Sequence, residues 1–260
     1  MITFSIVTIT YNAAHVLQPT INSILYQDYP HIEHLIIDGK SKDNTIEIAK
    51  RYKEISDTSD NGHQIVIKSE PDEGLYYAMN KGIDLATGDY ILFLNAGDRL
   101  PNQKTLKSVA LTAEAGDGEE YPAVIFGETN IIDNTGKILY PRRLKAPEVL
   151  TWHSFINGMV VCHQAFYVRL DIAKKIHYNT KYRFSSDVDW CINIMKEAEK
   201  RGLLLRNVHS VIAHYLATGT TTNNHFSSLI ERFKIMSHHF GIIKTILKHI
   251  SFIFRNIHKY

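Results

Sequence analysis

Short apolar runs that alternate with helical patterns constrain the fold of this chain more than any other feature. Four such runs, rich in β-branched residues, are Thr3 to Thr10, Ile32 to Ile37, Ile65 to Lys68 and Tyr90 to Leu94. Each is short and bounded by turn-forming residues, which is typical of a buried strand. Segments with apolar residues at helical spacing separate them, such as Leu75 to Ala86. This alternation predicts an α/β fold with a mainly parallel central sheet flanked by helices.

Acidic residues follow three of these strands, at Asp38, Asp72 and Asp98. Because the carboxyl ends of parallel strands meet at one edge of a sheet, we expect the three carboxylates to share that edge, where such sheets bind ligands. A single aspartate there is more typical of a helix or turn cap, whereas three on one edge favour a site. Asp98 offers a hard oxygen ligand, which suits Mg²⁺ or Mn²⁺ carrying a diphosphate.

The composition excludes several classes of protein. With 260 residues and 44% hydrophobic content, the chain suits one large domain, or one domain with an appendage, and is not mostly disordered. A net charge of +2 excludes a general polyanion binder, so no nucleic acid partner is expected. Two separated cysteines, Cys162 and Cys191, indicate no disulfide framework, and no basic leader segment or spanning run is evident. We therefore expect a cytoplasmic protein.

The second half of the sequence is less regular. It predicts a helix from Gln103 to Ala113 and a hairpin around Asp133 to Gly136. A strong helix opens at Ser186 and runs to about Lys200, and a late strand covers Val208 to Ala213. Neither a GxGxxG motif nor a Walker loop is present, which removes the main support for a dinucleotide oxidoreductase or a P-loop protein.

Five stretches of the sequence carry a recurring combination of motifs. They are Ser5 to Asn12, Ile37 to Thr45, Glu70 to Gly82, Gly88 to Asp98 and Ser186 to Trp190. In this order they resemble glycosyltransferase family 2, whose members have the Rossmann-like GT-A fold and usually invert the anomeric centre. The resemblance implies a catalytic domain over residues 1–225, with a donor half at about 1–100 and an acceptor half at about 101–225, followed by a helical tail over 226–260.

The resemblance also implies roles for residues of the donor half. Thr10 and Tyr11 would line the nucleotide pocket after the first strand. Asp38 would accept a hydrogen bond from the nucleobase, because a carboxylate is a good acceptor for an imide N–H. Asp72 would lie at the base or the ribose, and Lys81 would reach toward phosphate.

By the same resemblance, the segment from Asn95 to Asp98 occupies the place of the metal-binding acidic cluster of the family. The commonest form of that cluster has two or three aspartates, whereas here Asn95 and Gly97 leave Asp98 as its only carboxylate. Asp98 would hold Mg²⁺ or Mn²⁺ together with the diphosphate and waters. Asn95 is expected on the donor side of the same site.

Asp187 matches the general base of the family, which removes a proton from the acceptor hydroxyl as it attacks the anomeric carbon. The alternative is that Asp187 or Asp189 only caps the helix that begins here. His163 lies where related transferases carry a residue near the acceptor, and His214 is placed to approach the metal or diphosphate. For both histidines a structural, hydrogen-bonded role is an equal alternative.

The tail, residues 226–260, is predicted to be a basic amphipathic helix bent at Gly241. Ser228 with Glu231 fits a capping box at its start. Its apolar stripe suits packing on the catalytic domain, which we favour for the first half, or a coiled-coil dimer. The last twenty residues contain four basic and no acidic residues, and this favours binding of the tail to an anionic membrane surface.

The combined prediction is an inverting glycosyltransferase of the hexosyl or N-acetylhexosaminyl type that depends on a metal. It would move a sugar from a nucleotide-diphosphate-sugar, expected to be a UDP-sugar, to a hydroxyl of a glycan or lipid-linked acceptor in polysaccharide biosynthesis. It would work in the cytoplasm, peripherally on the cytoplasmic face of the membrane. Two alternatives are a nucleotidyltransferase, which would show a glycine-rich basic loop in place of Tyr11 to His15, and a non-catalytic nucleotide-sugar-binding protein.

Overall fold

The computed structural model of the chain describes residues 1–115, 120–217 and 225–257. Lys259 of the predicted basic tail lies outside these residues. In the first half, strands and helices alternate as β1 (Phe4–Thr10), α1 (Ala14–Leu25), β2 (Ile32–Asp38), α2 (Thr45–Thr58), β3 (Gln64–Ser69), α3 (Leu75–Leu85), β4 (Tyr90–Phe93) and α4 (Thr105–Glu114). The predicted alternation is therefore confirmed, with α4 beginning two residues later than its sequence pattern suggested.

The second half contains a hairpin, short helical turns and a long late strand. Its elements are β5 (Val124–Ile132), β6 (Ile138–Pro141), β7 (Phe166–Arg169), α5 (Leu170–Ala173), α6 (Ser186–Lys200) and β8 (Leu205–Leu216). Two 3₁₀ helices, Trp152–Asn157 and His163–Ala165, lie between β6 and β7. The predicted hairpin and the helix from Ser186 are confirmed, and the late strand is longer at both ends than its apolar core.

One sheet of eight strands joins the two halves, in the order β3-β2-β1-β4-β7-β5-β6 with β8 paired to β5. The four strands β3, β2, β1 and β4 are parallel, whereas β7 runs antiparallel to both β4 and β5. The register aligns Thr10 with Asp38 and Asp38 with Ser69, so the carboxyl ends of β1, β2 and β3 lie level. The mainly parallel sheet expected from the sequence is thus present, and it places the first strand-end aspartate between two hydroxyl-bearing residues.

Helix α3 lies unusually close to the sheet. A Cβ atom added to Gly82 would lie 2.5 Å from Cγ1 of Val7 on β1, which is too close for any side chain. Because of this close approach, the second half of α3 packs tightly against β1. The Tyr76 side chain of α3 reaches the site, as described below.

The tail folds into two helices, α7 (His225–Phe240) and α8 (Ile242–Ile257). They are separated at Gly241, whose φ of +83° favours glycine and which is where the sequence predicted a bend. Helix α7 packs on the 3₁₀ helix Trp152–Asn157, where the rings of Phe240 and Trp152 stack at 5.5 Å. Among the described residues, no helix combines the length and apolar character needed to cross a bilayer.

The predicted capping box at Ser228 is wrong. Helix α7 already includes His225, so Ser228 lies inside the helix rather than before its first turn. Ser228 is buried, and its hydroxyl lies 3.0 Å from the hydroxyl of Ser185. Glu231, the other member of the predicted box, bonds a different part of the chain, with consequences for the site.

Candidate active site

Asp38, at the end of β2, is buried and accepts hydrogen bonds from three neighbouring residues. Its Oδ2 accepts from the Ser41 amide at 2.9 Å and from Oγ of Ser69 at 2.7 Å. Its Oδ1 accepts from Oγ1 of Thr10 at 3.0 Å and from the Ser41 hydroxyl. Burial alone would raise the pKa of Asp38, but the bonds from Ser41, Ser69 and Thr10 outweigh it and lower the pKa.

Tyr11 and Asp72 lie side by side over Gly39, beyond the carboxyl end of β1. A Cβ on Gly39 would lie 2.7 Å from Oδ2 of Asp72 and 3.3 Å from Cδ2 of Tyr11, so glycine lets these two side chains approach the backbone closely. The Tyr11 residue is 63% exposed, and Asp72 is half-buried with its Oδ1 accepting from the Gly74 amide at 2.9 Å. An exposed aromatic ring beside a carboxylate is an arrangement that suits a planar base.

Lys81 of α3, expected to reach toward phosphate, forms an ion pair with the segment that precedes this helix. Its ammonium nitrogen lies 3.1 Å from Oε1 of Glu70 and donates to the carbonyl oxygen of Pro71 at 3.0 Å. Lys68 contacts the other oxygen of Glu70 at 3.0 Å. A contact between Lys81 and a phosphate would therefore require it to leave Glu70, and the role stays a prediction.

Asp98 lies buried in the turn after β4, and two distant segments hold its carboxylate. Oδ1 accepts from the Leu216 amide at the end of β8, and Oδ2 accepts from Nε2 of Gln164, each at 2.9 Å. Burial raises the pKa of Asp98 to about 6, although both hydrogen bonds act in the opposite direction. The carboxylate is therefore desolvated and only partly compensated.

The geometry of the turn explains why glycine stands at position 97. Gly97 has a φ of +101°, and a Cβ there would lie 2.6 Å from Cδ2 of Leu216. A second aspartate at this position would be strained and would collide with the end of β8. The backbones of Arg99 and His214 bond each other at 2.9 and 2.8 Å, which fixes the turn against that strand.

Asp187, at the start of α6, lies next to His163. Its Oδ2 is 3.3 Å from Nδ1 of His163, and the other imidazole nitrogen, Nε2, is 3.3 Å from Nδ2 of Asn95. We assign the Nδ1–H tautomer, in which His163 donates to Asp187 and accepts from the Asn95 amide. His163 thus connects the candidate base to the turn that carries Asp98.

Two further donors hold the Asp187 carboxylate. The hydroxyl of Tyr76 donates to Oδ1 at 3.3 Å, and the Val188 amide donates to the same oxygen at 3.0 Å. Burial would raise the pKa of Asp187, but the hydrogen bond from His163, with a contribution from the charge of Arg232 of α7, lowers it. A carboxylate with a lowered pKa is ionised at neutral pH and is ready to accept a proton.

The 3₁₀ helix His163–Ala165 brings the two carboxylates together, because His163 faces Asp187 while its neighbour Gln164 bonds Asp98. In the described parts of the chain, no group of three or more His, Cys, Asp or Glu side chains forms a metal-binding cluster. Oδ1 of Asn95 is buried and has no hydrogen-bond partner among those residues. Oxygens of Asp98 and Asn95 are hard ligands, so this small set fits an ion that takes its remaining ligands from a diphosphate and water.

The remaining candidates have structural contacts. Oδ1 of Asp189 lies 2.6 Å from Nε2 of His239 in α7, so Asp189 anchors the tail. His214 is half-buried on β8, and burial, followed by the charge of Arg99, lowers the pKa of its imidazole. Its approach to a metal or diphosphate stays a prediction.

Sequence reasoning did not identify Tyr76, Gln164 or Glu231 as site residues. Tyr76 lies in one of the recognised motifs, and Gln164 directly follows His163, so their positions offered a weak signal. Glu231 lies in the tail, far from every motif, and only the folded structure brings it to α6.

A GT-A type fold with paired polar clusters at the carboxyl edge of its sheet defines a class of nucleotide-dependent transferase. The chain belongs to glycosyl transferase family 2, whose model matches residues 5–176. A PGL/p-HBAD biosynthesis glycosyltransferase of Mycobacterium bovis is 32% identical over 222 residues, which is 85% of this chain and 79% of that protein. The amylovoran biosynthesis glycosyltransferase AmsB of Erwinia amylovora is 26% identical over 217 residues, or 82% and 69% of the two chains.

Solved structures share the fold at low sequence identity. S. aureus TarS 1–349 in complex with UDP-GlcNAc has a TM-score of 0.70 and 15% identity, covering 96% of this chain and 73% of that one. The mannosyltransferase PcManGT of Pyrobaculum calidifontis, in complex with GDP-Man and Mn²⁺, has a TM-score of 0.59 and 13% identity over 96% and 74% of the two chains. The predicted family and fold are therefore confirmed.

Proposed function

We propose that this glycosyltransferase moves a sugar from a nucleotide-diphosphate-sugar, with a UDP-sugar as the expected donor, to a hydroxyl of a glycan or lipid-linked saccharide. The observation that carries the proposal is the Asp187 carboxylate, held between His163 and Tyr76 and linked through His163 to the turn of Asn95 and Asp98. A base and a diphosphate-binding turn at one sheet edge are what an inverting displacement requires.

In the proposed reaction, the acceptor oxygen attacks the anomeric carbon while its proton passes to Asp187. The bond between the anomeric carbon and the diphosphate oxygen breaks, and its electron pair leaves with the nucleoside diphosphate. His163 and Tyr76 orient the carboxylate from two sides, which keeps one geometry for proton transfer. Because the attack comes from the face opposite the leaving group, the anomeric configuration inverts.

Asp98 would hold Mg²⁺ or Mn²⁺ together with the side-chain oxygen of Asn95, which has no hydrogen-bond partner within the described parts of the chain. When bound, such an ion neutralises charge that develops on the departing diphosphate. Support comes from the hard-oxygen character of these ligands and from the Mn²⁺ in the PcManGT complex, which shares the fold. The Gln164 and Leu216 donors orient Asp98 for this role.

The donor base would lie against the exposed ring of Tyr11 and the carboxylate of Asp72, with Thr10 and Asp38 forming the floor of the pocket. Support for a uridine nucleotide comes from the UDP-GlcNAc complex of TarS, and a hexosyl or N-acetylhexosaminyl donor is inferred on the same ground. Asp38 gives its hydrogen-bonding capacity largely to Thr10, Ser41 and Ser69, so it would hold the pocket in shape as well as contact the base.

A thermal-shift panel of nucleoside diphosphates and nucleotide-sugars, with and without Mn²⁺, tests the donor, and coupled detection of released nucleoside diphosphate tests turnover. We expect stabilisation by UDP and one UDP-sugar. Release of pyrophosphate instead of a nucleoside diphosphate would indicate a nucleotidyltransferase. Binding of the donor without transfer or hydrolysis would indicate a non-catalytic protein.

We further infer that α8 lies on an anionic membrane surface, where a lipid-linked acceptor would be found. Ile243 and Leu247 of α8 are 73% and 62% exposed, and Lys244 and Lys248 lie among its apolar residues. Such a helix gains energy from both apolar insertion and attraction to anionic lipid. This would place the protein peripherally on the cytoplasmic face.

Co-sedimentation with liposomes tests the membrane contact. Truncation after Gly241, or Ile243→Ser with Leu247→Ser, should reduce binding to vesicles containing anionic lipid, and added salt should weaken binding by the intact protein. Leu111→Ser is the matched control, because Leu111 on α4 is similarly exposed, at 61%. Equal binding by all variants would favour packing or dimerisation of the tail.

A further inference from the structure

The segment that precedes α6 is held by the tail helix α7. Glu231 accepts hydrogen bonds from three consecutive backbone amides: its Oε1 from Arg183 at 2.8 Å, and its Oε2 from Phe184 at 2.8 Å and Ser185 at 3.0 Å. Successive backbone N–H groups that converge on one anion form a compact, charge-assisted contact. The carboxylate also lies near the amino end of α6, where the helix dipole favours negative charge.

A second contact lies beside the first. The hydroxyl of Ser185 lies 3.0 Å from the hydroxyl of Ser228 and donates to the Ser228 carbonyl oxygen at 3.2 Å, and both residues are buried. Asp189, two residues beyond the candidate base, contacts His239 at 2.6 Å. Helix α7 therefore holds the chain on both sides of Asp187.

The two contacts that Asp187 makes with side chains of the catalytic domain are longer. His163 and Tyr76 each lie 3.3 Å from its carboxylate oxygens, whereas the amides bound by Glu231 lie at 2.8 to 3.0 Å. The shorter, charge-assisted bonds fix the backbone from which Asp187 extends. A small movement of that backbone would break the longer bonds and misplace the base.

We propose that Glu231 is a positioning residue for the base Asp187, so that the tail completes the active site rather than only covering the domain. The proposal rests on the proposed function, in which Asp187 accepts the acceptor proton. It assigns α7 to the catalytic machinery and leaves membrane contact to α8. Loss of the Glu231 contact should impair the chemical step while the donor pocket, built from β1 to β4, stays intact.

Glu231→Gln tests the proposal with little change in shape. An amide replaces one of the two accepting oxygens with a donor NH₂ group, which cannot bond the backbone N–H groups that face it. We expect kcat to fall about tenfold, as for loss of a charge-assisted hydrogen bond, with the KM and Kd of the donor changed less than twofold. Glu54→Gln, at an exposed position of α2, is the matched control and should leave both constants unchanged.

A double-mutant cycle with Asp187→Asn separates positioning from general destabilisation. If Glu231 acts through Asp187, adding Glu231→Gln to Asp187→Asn should change the residual rate less than twofold. Equal effects of Glu231→Gln in both backgrounds, an unchanged kcat, or a donor Kd that weakens in parallel with kcat would overturn the proposal. Glu231→Gln keeps the size of the side chain, so it decides the matter even if Glu231→Ala does not fold. Failure of the proposed function would look different, because the wild-type protein itself would then show no transfer.

Discussion

Asp38 and Asp98 are buried carboxylates at the same edge of the same sheet, and their environments differ in a way that separates two roles. Asp38 accepts from three hydroxyl groups and one amide, and its pKa is lowered. Asp98 accepts from one side-chain amide and one backbone amide, and burial raises its pKa to about 6. Hydrogen bonds compensate the charge of Asp38 without a ligand. The charge of Asp98 is less well compensated, so a cation that binds there would stabilise it.

The candidate base forms the third member of this comparison. Asp187 is desolvated like Asp98, yet its pKa is lowered, chiefly by the hydrogen bond from His163 and also by the charge of Arg232. The protein thus keeps the base ionised with its own side chains and leaves Asp98 with less compensation. We therefore expect substitution of Asp187 to affect the chemical step, that of Asp98 to affect ion binding, and that of Asp38 to affect the donor pocket.

Asp187→Asn should give the largest effect. Asparagine keeps the size of the side chain and caps helices about as well as aspartate, but it cannot accept a proton at neutral pH. We expect turnover to fall by about 10²-fold or more with the affinity for the nucleotide-sugar retained, measured on one purified preparation. Near-normal transfer would show that Asp187 only caps the helix and that Asp189 or His163 is the base.

Asp98→Asn should lower turnover by about 10²-fold, because stabilisation of the leaving group is lost. Its effect on stability should have the opposite sign. Since the folded-state pKa of Asp98 lies above the ordinary value of 3.8, the wild-type fold loses stability as pH rises from about 4 to 6. The variant should therefore be more stable than the metal-free wild type at pH 7.5, by about 1–3 kcal/mol, and lose this advantage below pH 4.

Denaturant unfolding at the two pH values measures that difference, and addition of Mn²⁺ provides the control. Mn²⁺ should raise the melting temperature of the wild-type protein but not that of Asp98→Asn. Full activity of the wild type in excess chelator would show that protein cations alone handle the diphosphate.

The same contrast explains how much could be predicted from the sequence. The partners of Asp38 lie at the ends of β1 and β3 and in the turn after β2, and the strand–helix alternation alone places these close together. The family motifs likewise located Asp98 and Asp187. In these cases local pattern and parallel register carry the information.

The rest of the site depends on long-range packing that no local pattern encodes. Leu216 bonds Asp98 across 118 positions, and Tyr76 bonds Asp187 across 111. Ser228 and Glu231 match the sequence pattern of a capping box, but the tertiary structure does not form one. Glu231 instead accepts hydrogen bonds from three backbone amides in a distant segment. Gly97 stands where the commonest form of the family cluster has an aspartate. The reason, its positive φ, becomes visible only in the folded turn.

Asp38→Ala should have an intermediate effect, on the donor pocket alone. It leaves the hydroxyls of Thr10 and Ser69 and the Ser41 amide without their acceptor, so we expect nucleotide binding to weaken by about 1–3 kcal/mol. Isothermal titration with UDP measures this, and kcat at saturating donor should change little. Unchanged nucleotide affinity would remove Asp38 from the donor site. Since the pKa of Asp38 is lowered, its stabilising contribution should be present above pH 3.8 and be lost as pH falls further.

A pair of substitutions at His163 should give the smallest effect and the sharpest test of how Asp187 is held. The amide of asparagine can take the place of Nδ1, which faces Asp187, whereas that of glutamine can take the place of Nε2, which faces Asn95. His163→Gln removes the hydrogen bond that most lowers the pKa of Asp187, so Arg232 and the Val188 amide are then left to oppose the effect of burial, which raises this pKa. Asp187 would then keep its proton up to a higher pH than in the wild-type protein.

The acidic limb of the pH–kcat profile should therefore move to higher pH in His163→Gln, with kcat at pH 7 reduced a few-fold, on the order of 3- to 10-fold. His163→Asn keeps a donor to Asp187 and should move the limb less. An equal shift of the limb in the two variants would show that His163 acts through Asn95 and the diphosphate turn rather than through Asp187. An unchanged profile in both would mean that Tyr76, the Val188 amide and the backbone held by Glu231 suffice to keep the base ionised.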